Sequence, residues 1–235
     1  MAELSILLTT AISLAFIHTI IGVDHYLPFI VLSRTNNWTV KKTMLIVFLC
    51  GLGHVASSAL LGFAGAVLSI AVSRLTDIES IRGTVATYFL IAFGIIYTAY
   101  GISRAVKNKT HRHITPEGRV IKHAHAKKGE DHIHSPEDEK KSAQIFWGLF
   151  IIFALGPCEP LIPILMYPAA THNTFALISV TASFAVCTIA AMMLLTLLGL
   201  KGVRMLKADK LERYSHALAG SAILACGIIV LALPV

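Results

Sequence analysis

Six long apolar stretches separated by short polar segments make up most of the chain. A helix needs about 20 mostly apolar residues to cross the hydrocarbon core of a bilayer, and each stretch is long enough to do so. The pattern therefore predicts an all-α membrane protein with six transmembrane helices. The stretches cover roughly residues 4–33, 43–72, 84–103, 145–169, 174–200 and 215–234.

The composition narrows the class of protein further. Of the 235 residues, 55% are hydrophobic and only 14% are charged, whereas soluble domains carry about 25% charged residues. A soluble enzyme is therefore excluded, and we expect a transporter in contact with lipid rather than an enzyme. The net charge of +7 does not indicate nucleic acid as a partner, because the basic residues lie in loops and not on an aromatic face.

The basic residues predict the orientation in the membrane. The loops after spans 1, 3 and 5 hold 18 of the 20 Lys and Arg residues, and the other side holds only Arg74 and Arg82. The positive-inside rule places the three basic loops in the cytoplasm and both termini outside, in a prokaryotic inner membrane. Because the N-terminal segment lacks a basic region, we expect a retained helix and not a cleaved signal.

The two halves of the chain resemble each other. With an odd number of spans, each half must enter the membrane in the opposite direction to the other, as in the inverted repeats of many transporters. The predicted units are residues 1–104 and 145–235, joined by a loop over 105–144. Three collinear matches at offsets of 134, 134 and 133 support the repeat: Gly22–Leu27 with Gly156–Leu161, His54–Ala56 with Thr188–Ala190, and Ile91–Ile96 with Leu224–Ile229.

Proline and glycine interrupt the first span of each half, which predicts that helices 1 and 4 are broken. A proline frees the carbonyl four residues before it, here those of Asp24 and Glu159, which we expect to be the only acidic residues deep in the spans. Such backbone is tolerated only inside protein or along a cavity; the alternative is a simple kink between packed helices. The interrupting residues are Gly22, Pro28, Gly156, Pro157, Pro160 and Pro163.

Ionisable side chains surround these breaks and predict a site near the membrane midplane. Intramembrane His, Asp and Glu mark substrate or ion pathways, and imidazole with carboxylate suits first-row divalent metals, with a thiolate shifting the preference toward softer ions. A proton relay without metal is an alternative, and His54 could instead be a hydrogen-bonded core residue. The candidate metal or transport residues are His18, Asp24, His25, His54, Cys158 and Glu159.

The segment between the halves is rich in histidine. Six of the eleven histidines fall there as three His-x-His pairs, and Pro, Gly, Lys and Glu dominate the rest, so we expect a mostly disordered loop. Histidine-rich tracts usually bind metal, which predicts a cytoplasmic loop that collects or buffers metal. The loop residues are His111, His113, His123, His125, His132 and His134.

The cysteines offer a second hypothesis. Cys50, Cys158, Cys187 and Cys226 all lie in predicted spans without a CxxC pair, so no structural disulfide is expected. A cysteine beside prolines on a broken helix, as at Cys158, is what a thiol-based membrane electron carrier would have. Such a carrier needs a partner thiol, and Cys50 could serve if span 2 brings it alongside.

Three motifs resemble known membrane families. His18-x-x-x-Gly22-x-Asp24-His25 resembles the signature of the hydrogenase- and urease-associated nickel permeases (HupE/UreJ), and Leu52-Gly-His54 resembles a motif of the nickel/cobalt permeases (NicO). The segment Leu155–Pro163 resembles the transmembrane domain of the cytochrome c biogenesis and thiol-reductase family (CcdA/DsbD). The permease resemblances imply a nickel or cobalt transporter, with His18, Asp24, His25 and His54 as metal-handling residues.

The main hypothesis is therefore a permease or exporter of a divalent transition metal. The metal is its substrate, with nickel or cobalt favoured and zinc or iron as alternatives, and no organic cofactor is expected. A cytoplasmic metallochaperone is a candidate partner. The second hypothesis is a CcdA-like thiol–disulfide electron carrier that uses Cys158, and a third is a metal sensor or chaperone that does not transport. Oligomeric state and direction of transport stay open.

Overall fold

A computed structural model describes residues 2–68, 70–107, 112–114, 120–122, 136–205 and 214–232. These residues form eight α-helices, a short 3-10 helix and a two-stranded antiparallel hairpin. The helices are α1 (Ala2–Ile21), α2 (Leu27–Thr35), α3 (Val40–Val67), α4 (Val72–Lys107), α5 (Pro136–Leu155), α6 (Leu161–Ala170), α7 (Thr174–Met205) and α8 (Ser215–Ala232). The 3-10 helix is Val23–His25, and the strands are β1 (Arg112–Ile114) and β2 (Val120–Lys122).

Five of these helices, α1, α3, α4, α7 and α8, are long and apolar enough to cross a membrane. The apolar part of α5, Ser142–Leu155, and helix α6 are each shorter than a span. The predicted class of an α-helical membrane protein is thereby confirmed. The hairpin lies within the segment for which we expected disorder.

The first and fourth predicted spans each consist of two helices. Span 1 comprises α1, the 3-10 helix and α2, and span 4 comprises the end of α5 followed by α6. The third predicted span was placed too late, since α4 begins at Val72 and not near residue 84. In its polar first turns, Glu79 is only 2% exposed and is paired with Arg82 one turn further along the helix. The expectation that Asp24 and Glu159 are the only deep acidic residues was wrong.

Helices α4 and α8 run antiparallel and touch through their backbones. A Cβ added at Gly94 would lie 2.6 Å from the Leu224 nitrogen, and one added at Gly101 would meet the backbone of Ala217. Residues further along α4 therefore contact residues earlier in α8, which shows that the two helices are antiparallel. Small residues of this kind allow close helix contact in membranes.

Two further pairs of helices run in the same direction, α3 with α5 and α7 with the first broken span. Gly53 of α3 lies beside Phe150 of α5, and His54 beside Phe153, so the two helices advance together. Likewise, Cys187 near the middle of α7 contacts α1, and Gly199 further along α7 contacts α2. The two broken spans are therefore each supported by a long helix of the other half.

Candidate functional site

The first break is a single tight turn. Helix α1 ends as the Gly22 N–H donates to the His18 carbonyl at 2.9 Å, and the His25 N–H then donates to the Gly22 carbonyl at 3.0 Å. Helix α2 begins at Leu27 with Pro28 in its first turn, where the missing N–H would have had no helical partner. Pro28 therefore starts a new helix rather than kinking a continuous one.

Gly22 is required by the close approach of His25. A Cβ at position 22 would lie 2.8 Å from Cε1 of His25 and closer still to its Nδ1. Real Cβ atoms do not come that near. The His25 ring could therefore not take this position if any residue other than glycine stood at position 22. The turn thereby aims the imidazole into the protein.

Three imidazoles meet at this turn. The His25 ring centroid lies 4.8 Å from that of His18 and 5.0 Å from that of His54. One nitrogen of each ring lies within 4.8 Å of the other two, and His25 and His54 are both buried. His18 and His25 lie on separate elements, and the turn between these elements brings the two side chains together.

Hydrogen bonds orient two of these rings. Nδ1 of His25 lies 3.2 Å from the Asp24 carboxylate and 3.1 Å from the Gly22 carbonyl oxygen. Nδ1 of His54 lies 3.2 Å from the carbonyl oxygen of Phe153. The Nε2 atoms of His25 and His54 therefore face each other, 3.4 Å apart.

The second break lies between α5 and α6. The Gly156 N–H closes α5 by donating to the Ile152 carbonyl at 2.9 Å, and Pro160 precedes the first residue of α6, so that Pro163 falls in the first turn. Between them, the Cys158 N–H, which has no helical partner, donates to the Ser58 hydroxyl at 3.1 Å and to the Glu79 carboxylate at 3.2 Å.

An ion pair on α4 completes this second arrangement. Arg82 donates to the Glu79 carboxylate, to the Ser57 hydroxyl at 2.8 Å and to the Ala154 carbonyl at 3.0 Å. The network ties α4 to both α3 and the end of α5. Sequence analysis missed it because residues 74–82 were assigned to a loop; the Glu-x-x-Arg spacing, which places both side chains on one helical face, was the available signal.

A cavity of about 240 Å³ lies between the two breaks. Five of the six residues proposed from the sequence line it, namely His18, Asp24, His25, His54 and Glu159. The group of three close ligand atoms consists of His18, His25 and His54, and it does not include the carboxylates of Asp24 and Glu159. Cys158 does not line the cavity: it is fully buried in an apolar cluster with Leu165 and Phe184.

The four cysteines divide between two apolar clusters and are all free thiols. Cys187 packs against the cluster that contains Cys158. Cys50 and Cys226 belong to the other cluster, together with Phe29 and Met192. Cys50, the partner considered from the sequence, is therefore not packed with Cys158.

The histidine-rich loop is described only in part. The backbone of His113 lies in β1 opposite Ile121. The remaining five loop histidines lie outside the described residues: His111, His123, His125, His132 and His134. The metal-buffering role of this loop stays a prediction.

Comparison with known families distinguishes the two main hypotheses. The family model described as cytochrome C biogenesis protein transmembrane region matches residues 27–232. The chain belongs to this family. Membership, together with the apolar helices, makes it an integral membrane protein. No curated protein and no solved structure matches the chain.

Membership of the cytochrome c biogenesis family corrects the main functional hypothesis. The prediction of a nickel or cobalt permease was wrong, because the family match supports the thiol–disulfide alternative instead. The resemblance of the second half to CcdA/DsbD is confirmed, whereas the comparison does not reproduce the NicO and HupE/UreJ resemblances. Those rested on a few polar residues at the first break and in the middle of α3, and such residues suit any buried polar site.

Proposed function

We propose that this protein carries reducing equivalents across the membrane by thiol–disulfide exchange, with Cys158 as the exchanging thiol. The family match over residues 27–232 is the main support. The position of Cys158 adds to it, since the residue lies directly after Pro157 in the break between α5 and α6, where its N–H is bonded to side chains and not to a helical carbonyl. The protein is then a carrier and not an enzyme acting on a small molecule.

The exchange needs a second thiol, for which we propose Cys187. The Cys158 thiolate attacks an acceptor disulfide, forms a mixed disulfide and releases one acceptor thiolate, which takes up a proton. The Cys187 sulfur then attacks Cys158, which closes a Cys158–Cys187 disulfide and releases the second acceptor thiol. A dithiol donor at the other face reduces this disulfide in the same two steps and becomes a disulfide itself. Two electrons and two protons pass from donor to acceptor.

The packing of the cysteines supports this pairing. Cys158 and Cys187 contact the same apolar cluster, while Cys50 and Cys226 pack in the other one. Cys187 is only partly buried, and its thiol donates to the Ile12 carbonyl at 3.4 Å. In this proposal, the weak bond to Ile12 breaks when the Cys187 sulfur attacks Cys158.

Exchange also requires the second break to open. Cys158 is fully buried, but its neighbours Pro157 and Glu159 both line the cavity. A rotation of this short segment would bring the sulfur to the cavity wall. The bonds from the Cys158 N–H to Ser58 and Glu79 must break when this happens, so they hold the closed state.

We propose that the scaffold is two inverted three-helix repeats, residues 1–104 and 145–235. The spans would be α1 with α2, then α3, α4, α5 with α6, α7 and α8. Two observations support this arrangement: each half has a break in its first span, and the third helices of the halves run antiparallel. The positive-inside rule then favours an inner membrane with both termini outside and residues 105–144 in the cytoplasm.

Liposomes with an entrapped disulfide reporter test the proposal. The full-length protein is reconstituted, and a membrane-impermeant dithiol is added outside. We expect reporter reduction with the wild type, no reduction with Cys158→Ser, and accumulation of a mixed disulfide with Cys187→Ser. Cys226→Ser is the matched control, because it removes a buried thiol from the other cluster, and it should behave as wild type. Reduction that persists in Cys158→Ser, or a wild type without activity, would contradict the proposal.

A further inference from the structure

We infer that His18, His25 and His54 form a binding site for a first-row transition-metal ion that resides in the protein. The inference concerns a bound ion and not its transport, and it is independent of the electron-carrier function. Two of the three residues, His18 and His25, lie outside the region matched by the family model. The argument therefore rests on the geometry of this chain alone.

The hydrogen bonds determine which ring nitrogens carry protons. Carboxylate and carbonyl oxygens only accept hydrogen bonds, so Nδ1 of His25, beside Asp24 and Gly22, must be a donor. Nδ1 of His54, beside the Phe153 carbonyl, must be a donor as well. A neutral imidazole has a single N–H. When both rings are neutral, the lone pairs on the two Nε2 atoms therefore point at each other.

The third imidazole adds a nitrogen without a hydrogen-bond partner in the described part of the chain. Nε2 of His18 is buried and has no hydrogen-bond partner among the described residues, and burial of an unpaired polar group is costly. Three ring nitrogens thus lie within 4.8 Å of one another. A cation between them removes both the repulsion of the lone pairs and the cost of the unpaired nitrogen.

The spacing fits a metal ion. Two ligands at about 2.0–2.1 Å from a tetrahedral ion lie about 3.3 Å apart, and the Nε2 atoms of His25 and His54 are 3.4 Å apart. Asp24 and the Phe153 carbonyl occupy the positions of the outer partners that usually orient histidine ligands. The ligand atom of His18 lies within 4.8 Å of the other two and would have to move closer to complete the set of three.

The surroundings indicate the class of ion. Three neutral imidazoles suit zinc, copper, iron and nickel rather than calcium or magnesium. All three histidines line the cavity, so a fourth coordination position faces open space, as in three-histidine zinc sites. Asp24 and Glu159 line the same cavity, and their negative charge would offset that of the ion.

Cobalt binding tests the site, because four-coordinate Co²⁺ absorbs strongly in visible light. The six loop histidines could also bind Co²⁺ and would obscure the result. Each of them is therefore replaced by Asn in the full chain, and this variant is called the loop-silenced protein. After treatment with a chelator, it is titrated with Co²⁺ in detergent. We expect one ion per chain with the intense four-coordinate spectrum, which Zn²⁺ or Cu⁺ then displaces.

Variants in the loop-silenced protein assign the ligands. His54→Asn should weaken Co²⁺ binding by more than about 100-fold, and Asp24→Asn, which changes only an outer partner, by about 10-fold with a shifted spectrum. His172→Asn is the control: His172 is exposed and has a φ of 51°, a conformation that Asn tolerates. It should bind Co²⁺ as the parent does.

Two results would overturn the inference. One is Co²⁺ binding of unchanged affinity in His54→Asn. The other combines two observations. The loop-silenced protein melts at the wild-type temperature but does not bind Co²⁺, and the NMR signals of the ring nitrogens show a proton shared by His25 and His54. The second result would assign the cluster to a proton and not to a metal.

Discussion

The backbone N–H of Cys158 donates to the carboxylate of Glu79 at 3.2 Å, although the two residues lie 79 positions apart. This bond joins the break in the second half to a helix of the first half. Arg82 contacts the same carboxylate and also the end of α5 at Ala154. The conformation of Cys158 therefore depends on an ion pair on α4.

Glu79→Gln should destabilise the protein by about 3 kcal/mol, because breaking a buried ion pair leaves a charge without its partner. Glu79 is 2% exposed, so Arg82 would lose its counter-charge inside the protein. Unfolding in a mixed-micelle SDS titration measures the change. Asp77→Asn removes an exposed carboxylate from the same helix and should change stability by less than about 0.5 kcal/mol. Equal effects of the two substitutions would contradict the role of the pair.

The thiols should differ in their rates of alkylation. Cys187 is partly exposed whereas Cys158 is fully buried, so a maleimide that enters membranes should label Cys187 first. Glu79→Gln should speed labelling of Cys158, because it weakens the contacts that hold the break closed. Mass spectrometry of timed samples gives both rates. A Cys158 rate that does not respond to Glu79→Gln would show that the network does not control opening.

Gly22→Ala should disturb the histidine cluster without affecting the second break. The added methyl group collides with the His25 ring, which must rotate away from His54. Co²⁺ affinity of the loop-silenced protein should fall by about 10-fold, while the alkylation rate of Cys158 stays unchanged. Gly202→Ala is the matched control, since nothing lies within 4 Å of a Cβ at that position.

Gly101→Ala should separate α4 from α8. The new methyl group meets the backbone of Ala217, which cannot move aside as a flexible side chain can. Overpacking of this kind typically costs about 1–3 kcal/mol, so the SDS concentration at half-unfolding should fall. An unchanged midpoint would mean that the two helices are not in backbone contact in the folded protein.

The residues that could be found from the sequence were those that affect the conformation of their own backbone. The interruption of the first span was visible in Gly22 and Pro28, because both residues restrict or relax their own backbone. The contacts of Glu79 and Arg82 were not visible, since they depend on Cys158 and Ala154 more than 70 positions away. A short polar segment before an apolar stretch looks the same whether it faces water or lies inside the protein.

The functional hypotheses differed for a similar reason. His18, His25 and His54 do meet, but the presence of such a cluster does not say whether an ion passes through it or remains there. The motifs that suggested a permease cover a few positions of one half, whereas the family match extends over residues 27–232. A match over most of the chain therefore distinguished the two hypotheses, which the short polar motifs could not do.

The two interruptions of the bundle are held closed by different forces. The first is held by backbone hydrogen bonds and by the contacts of His25 with His18, His54 and the Asp24 carboxylate. The second is held by a charged contact between Glu79 and Arg82. His18, Asp24, His25 and His54 line the cavity, whereas Glu79 and Arg82 do not. Electrostatic attraction falls as the local dielectric constant rises, so water entering the cavity would first weaken the contact between His25 and the Asp24 carboxylate. Hydration of the cavity would thus act first on the turn between α1 and α2, and only afterwards on the break between α5 and α6.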